Sequence, residues 1–126
     1  MTSRRQTKYC QAVHEALSYL DIATNNEILQ YVRRDYPEVS ATTIHRVTAR
    51  LLRLGEISLA PPSSNGAVRY DVRVGENAYF SCSKCSRIRR LDGQVLALLL
   101  EKQLEGCSAS GQLTVTGICK LCKEKK

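Results

Sequence analysis

With 126 residues, the chain can bury one modest core, or two minimal ones that lean on a metal ion and a partner subunit, and a large enclosed active site is excluded. Hydrophobic residues at 43% and charged residues at 25% exclude a disordered or low-complexity chain. Nineteen Lys and Arg against twelve Asp and Glu give a net charge of +7, which suits polyanionic partners. The longest apolar run, Val95 to Leu100, is far shorter than a membrane span, and Met1 to Thr7 is polar and basic with no apolar segment behind it. A soluble, cytoplasmic protein without membrane association is expected.

From Arg5 to Leu20, the apolar residues Tyr9, Val13, Ala16, Leu17 and Leu20 recur at three- and four-residue steps and predict a first helix with one apolar stripe. Thr24 and Glu27 have the spacing of a capping box ahead of Ile28, Leu29 and Val32, so a second helix starts there and ends before Pro37. A third helix begins at Ser40, buries Ile44, Val47, Leu51 and Leu54, and stops at Gly55. Its other face presents Thr42, Thr43, His45, Arg46, Ala49, Arg50 and Arg53: three arginines, small hydrogen-bonding groups and no acid. A generic solvated helix face normally mixes both signs, so an acid-free face is mildly unusual.

Ile57 to Ala60 predicts a strand, Pro61 to Gly66 a turn ending in Asn-Gly, and Ala67 to Val74 a second strand in which Val68, Tyr70, Val72 and Val74 alternate with Arg69, Asp71 and Arg73. Three helices, the last basic on one side, followed by a hairpin are the order of a winged helix-turn-helix. There a helix fits the major groove of duplex DNA and basic hairpin residues reach backbone phosphates. Gly75 to Asn77 reads as a hinge. Beyond it come strands at Ala78–Cys82 and Arg87–Leu91, a helix at Gln94–Glu105 with Val95, Leu98, Leu99 and Leu104 apolar, and a strand at Gln112–Ile118, a small α+β unit too thin to stand alone.

Cys82-Ser-Lys-Cys85 and Cys119-Lys-Leu-Cys122 are two C-x-x-C pairs separated by 33 residues. Each follows a predicted strand, where a tight turn can aim both sulfurs at one ion. Two such turns complete a tetrahedral thiolate shell, and one structural zinc ion per subunit is the expectation. A closed four-sulfur shell leaves no position for water, so the ion holds the fold and performs no chemistry, and its binding is coupled to folding. Two other readings compete: disulfides, which suit an exported chain, and a redox-active C-x-x-C, which fits one pair better than two. Cys10 on the first helix and Cys107 after the C-terminal helix are plain thiols by default, with thiol sensing as the alternative role. No Ser/His/Asp set, phosphate loop or open metal position can be assembled, so no enzyme is expected.

In this order the parts resemble the ferric uptake regulator (Fur) family of bacterial transcriptional regulators. Val39-Ser40-Ala41-Thr42-Thr43-Ile44-His45-Arg46, with Leu51 and Gly55-Glu56-Ile57, is similar to that family's recognition helix and its exit. Val68-Arg69-Tyr70-Asp71 resembles its second wing strand, Phe80-Ser81-Cys82-x-x-Cys85-Ser86-Arg87-Ile88 its first zinc knuckle, and Thr116-Gly117-Ile118-Cys119-x-x-Cys122 its second. The resemblance implies a homodimer formed through the C-terminal domain, repressing at an inverted-repeat operator in double-stranded DNA. It places Thr43, His45 and Arg46 at base- and phosphate-contacting positions and Arg5 where a basic residue enters the minor groove. His45 stands where a tyrosine is common, and an imidazole can hydrogen-bond a base or pack on a thymine methyl. Arg50, Arg69 and Arg73 add expected phosphate contacts.

The regulatory metal site of the family uses a histidine-rich stretch before the first knuckle, with His and Glu on later elements. Here that stretch is Glu76-Asn77-Ala78-Tyr79, the only histidines are His14 and His45, and Gln112 to Thr116 carries no carboxylate or imidazole. The site is degenerate, and DNA binding without the usual regulatory metal is expected. The expected fold class is α+β: a winged-helix DNA-binding domain over 1–74, a hinge at 75–77, and a small α/β dimerisation domain with a four-cysteine zinc site over 78–126. The alternative functions are a zinc-stabilised protein-interaction module and a thiol-sensing regulator.

Overall fold

A computed structural model describes residues 4–75, 77–109 and 111–125, with side chains from residue 8 onward. The chain divides into two compact units, Met1–Pro62 with Ala67–Val74, and Ser63–Gly66 with Gly75–Lys126. Of the expected hinge at 75–77, Glu76 lies outside the described residues, and Gly75 takes a φ of 117° that glycine adopts at little cost. Among the described residues no helix is long and apolar enough to cross a membrane.

The first unit holds α1 (Arg4–Leu20), β1 (Ile22–Thr24), α2 (Asn25–Val32), α3 (Ala41–Arg53), β2 (Ser58–Ala60) and β3 (Arg69–Asp71). The three helices pack on one another around Tyr9, Val13, Leu17, Ile28, Val32, Ile44 and Leu51. Their ends form where the side chains dictate. The Glu27 N–H donates to Thr24 Oγ1 at 3.2 Å while the Thr24 N–H donates to Glu27 Oε1 at 3.0 Å, a complete capping box at the start of α2. Ser40 Oγ accepts from the Thr43 N–H at 3.1 Å and starts α3. At its far end Gly55 adopts a φ of 74°, so its N–H reaches Leu52 O and the Glu56 N–H reaches Leu51 O, pairing carbonyls that the helix leaves open.

Four sequence expectations change here. Leu54, expected in the core, is 57% exposed because it stands at the C-cap of α3, where the chain turns at Gly55. β1 was not foreseen; it pairs antiparallel with β3, as β2 does on the other side, giving the order β1-β3-β2. β3 is paired over Arg69–Asp71 only, since its partners are three residues long, and not over Ala67–Val74. Its central position also covers both faces: Arg69 and Asp71 are buried along with Tyr70, while Val68 and Val74, beyond the paired residues, are exposed.

The second unit holds β4 (Ala78–Cys82), β5 (Ile88–Leu91), α4 (Gly93–Gln103), β6 (Leu113–Gly117) and α5 (Lys120–Glu124), the last a short helix absent from the sequence reading. β4 and β5 form an antiparallel hairpin, and β6 returns parallel to β4 with Ala78 opposite Leu113 and Cys82 opposite Gly117. Gly117 is closely covered, since a Cβ there would meet the Phe80 ring at 3.2 Å and the ring would have to shift by a few tenths of an ångström. The apolar core of this unit is small: Ala78, Tyr79, Cys82 and Cys119 are buried, whereas α4 buries no residue.

Replacing Thr24 by Ala removes one half of the capping box and is expected to lower stability by about 1 kcal/mol, whereas Leu17→Ala empties a fully buried site and is expected to cost about 2–5 kcal/mol. Urea unfolding followed by circular dichroism should rank the two in that order.

Candidate metal centre and nucleic-acid interface

Each C-x-x-C pair is held at the end of a strand. After β4, the Ser86 N–H donates to Cys82 O at 3.1 Å and the Cys82 N–H to Arg87 O at 2.8 Å, and Ser86 takes a φ of 64°, closing the turn that carries Cys82 and Cys85. After β6, Cys119 is the N-cap residue of α5, which places Cys122 one turn further on. The parallel register brings the two turns together: the Ser83 N–H donates to Gly117 O at 2.8 Å, and the Cys119 N–H donates to Cys82 Sγ at 3.4 Å.

The result is a compact group of four sulfurs, Cys82, Cys85, Cys119 and Cys122, all within 4.8 Å of one another. The Cys82–Cys122 pair is 3.7 Å apart and the Cys85–Cys119 pair 3.6 Å. Both separations lie far beyond a disulfide bond of about 2.05 Å, and the thiols are free. A tetrahedron with zinc–sulfur bonds of about 2.3 Å has edges of about 3.8 Å, so the donor set and its spacing fit one ion in a closed shell.

Electrostatics favour the same use. Backbone N–H groups, that of Cys119 foremost and then those of Cys85 and Lys84, lower the Cys82 thiol to about 6. The backbone at Cys122 likewise lowers Cys119. Cys122 is pushed up to about 12, first by its hydrogen bond with the Cys119 thiol and then by burial. Some thiolates therefore form readily, but a full set of four in so small a volume needs a cation to offset its charge.

On α3 the structure keeps the acid-free face expected from the sequence. Thr42, His45, Arg46, Ala49 and Arg53 are exposed, Thr43 and Arg50 are half-buried, and Ile44, Val47, Thr48 and Leu51 face inward. Thr43 Oγ1 lies 3.0 Å from Ser40 Oγ, so its hydroxyl is engaged in the cap. Arg73 is exposed. The side chain of Arg5 lies outside the described residues.

Arg69 requires a correction. Its side chain is 6% exposed, with Nε donating to Pro61 O at 2.7 Å and Nη2 to Pro62 O at 3.0 Å. Burial lowers its pKa from the ordinary value, against the opposing effect of Glu27. It ties the β2–β3 connection to the central strand and is not available as a surface phosphate contact.

Two residues escaped the sequence reading. Asn25, at the start of α2, places its Nδ2 3.3 Å from His45 Nδ1, and buried Thr48 places its Oγ1 2.8 Å from Asn25 Oδ1. Neither carries a sequence signal, because the contact spans 20 residues or more between helices.

No protein-family model matches the chain, and no curated protein matches it in sequence. Solved structures do share its fold. The Helicobacter pylori ferric uptake regulator Fur, which has three functional metal-binding sites, superposes with a TM-score of 0.78 at 18% identity, covering 100% of this chain and 85% of that one. The Campylobacter jejuni peroxide stress regulator gives 0.73 at 20% identity, over 94% of this chain and 91% of that one. A zinc uptake regulator solved with zinc and DNA gives 0.55 at 16% identity, over 97% and 83%. The chain has the α+β fold of the Fur-type regulators along its whole length, with a four-cysteine cluster in its second unit.

Cys122→Ser breaks the shell, and metal analysis after gel filtration should show tightly held metal falling from about one ion per chain to near none.

Proposed function

We propose that this chain is a sequence-specific DNA-binding transcriptional regulator of the Fur type, a cytoplasmic homodimer that represses at an inverted-repeat operator in double-stranded DNA. Residues 1–74 form a winged helix-turn-helix in which α3 enters the major groove and the β2–β3 hairpin is the wing. Residues 75–77 are the hinge, and residues 78–126 are the dimerisation domain, held by one structural zinc ion per subunit on Cys82, Cys85, Cys119 and Cys122. The observation that carries this reading is the exposed face of α3, with its arginines and hydrogen-bonding side chains, no acid, and a capped, well-packed helix behind it. Base discrimination comes from Thr43, His45 and Arg46, with Thr42 beside them, and phosphate contacts from Arg5, Arg50 and Arg73.

Dimerisation is supported by the apolar surface that the second unit leaves open. Val95, Leu98 and Leu99 on α4 and Val115 on β6 are each about half exposed or more, Leu98 reaching 65%. So many exposed apolar side chains beside so small a core are expected at an obligate subunit interface. Operation without the usual regulatory metal is supported by the sequence, whose two histidines both fall in the first unit.

Selection of bound sequences from a random DNA pool by the zinc-loaded protein tests the reading directly, with a two-fold symmetric motif as the expected result. Binding should weaken steeply with salt; affinity absent at low salt would favour a protein-interaction module instead. On the selected site, Arg46→Ala should cost roughly 1–3 kcal/mol and leave affinity for random DNA little changed. Leu98→Glu places a charge in the apolar surface, and sedimentation should show the dimer replaced by single chains. Adding excess Fe(II), Mn(II) or Zn(II) to protein already holding its cysteine-bound zinc should leave operator affinity unchanged in a filter-binding titration.

A further inference from the structure

His45 stands on the exposed face of α3, and one side of its ring is already engaged: Nδ1 lies 3.3 Å from Asn25 Nδ2. An amide nitrogen only donates, so Nδ1 must accept, and the neutral ring then carries its proton on Nε2. What holds the amide in that sense is Thr48, fully buried, with Oγ1 2.8 Å from Asn25 Oδ1. That separation is the usual length of an O–H···O bond, with the Thr48 hydroxyl donating. The competing arrangement turns the amide over, so that its nitrogen faces Thr48 and its oxygen faces His45. The 2.8 Å contact would then be an N–H···O bond, and the hydroxyl proton would fall back on Ile44 O at 3.1 Å or His45 O at 3.2 Å. The structure holds the first arrangement, with Nδ2 toward His45 and Oδ1 toward Thr48.

We infer that Asn25 and Thr48 are positioning residues that lock His45 in the tautomer with hydrogen on Nε2, so that it offers DNA a donor. This rests on the reading of α3 as the base-contacting helix. A donor at that point is matched by guanine O6 or N7, adenine N7 or thymine O4, and it is opposed by the N4 amine of cytosine. The chain therefore discriminates against cytosine at the base that His45 faces, and the residues responsible include two that touch no DNA.

The test has two arms on the full zinc-loaded chain. Long-range proton–nitrogen NMR without DNA reads the tautomer, and with only two histidines the His45 signals are assigned by their loss in His45→Gln. The expected spectrum has Nδ1 unprotonated and Nε2 protonated, shifting to an averaged mixture in Asn25→Ala and, with the amide no longer oriented, in Thr48→Val. A wild-type ring that already averages or carries its proton on Nδ1 overturns the assignment, as does a wild-type signature retained in both variants. In the second arm, random-pool selection should show cytosine depleted at one position per half-site, with the depletion relaxing about tenfold in Asn25→Ala. Unaltered discrimination in that variant overturns the positioning role. The expected tautomer in a protein that enriches no motif overturns the DNA reading and leaves the assignment standing.

Discussion

Four thiols inside a 4.8 Å radius of one another are the constraint on which the second unit depends. The unit has one small sheet, a helix that buries nothing, and Tyr79 as its largest enclosed side chain. Apolar burial on that scale does not offset the conformational entropy of ordering the segment. An ion held by the four-cysteine cluster would supply what the core lacks, because the cluster joins the β4–β5 turn to the β6–α5 turn across more than thirty residues of chain. The parallel pairing of β4 with β6 makes the junction possible by setting Gly117 beside Cys82, with the Phe80 ring packed closely over Gly117.

The first unit is built on the opposite principle. Its three helices enclose a continuous apolar cluster, and local hydrogen bonds define the starts of α2 and α3 and the end of α3. This rigidity lets α3 carry an unusual face. Helix ends pinned by Ser40 and Gly55, with Ile44, Val47 and Leu51 locked beneath, hold the outward side chains in a fixed array. The contact from Asn25 to His45 extends that support from backbone to side chain, since it engages Nδ1 of the ring.

An open apolar surface and a closed metal shell lie on the same small unit, and they fit one scheme. On the proposed reading, an ion on the four thiols would make the segment foldable, and association of two copies would cover what the single chain leaves open. Two copies related by a two-fold axis would present two α3 helices, which is why an inverted repeat is the natural operator.

Much of this was legible in the residues themselves. The apolar stripe of α1, the Thr24–Glu27 box, Ser40 and Gly55 at the ends of α3, and the two C-x-x-C pairs are signals contained within a turn or two of chain. Short-range geometry alone gives them meaning. The tertiary structure decided the rest: the strand β1, which exists because β3 offers it an edge; the burial of Arg69 and Asp71, which follows from the central place of β3; and the meeting of Asn25, Thr48 and His45. Alternation along a strand cannot say which face is covered when both are, and a side-chain contact between helices has no period to read. Such features depend on which surfaces meet, and that is settled only when the whole chain has folded.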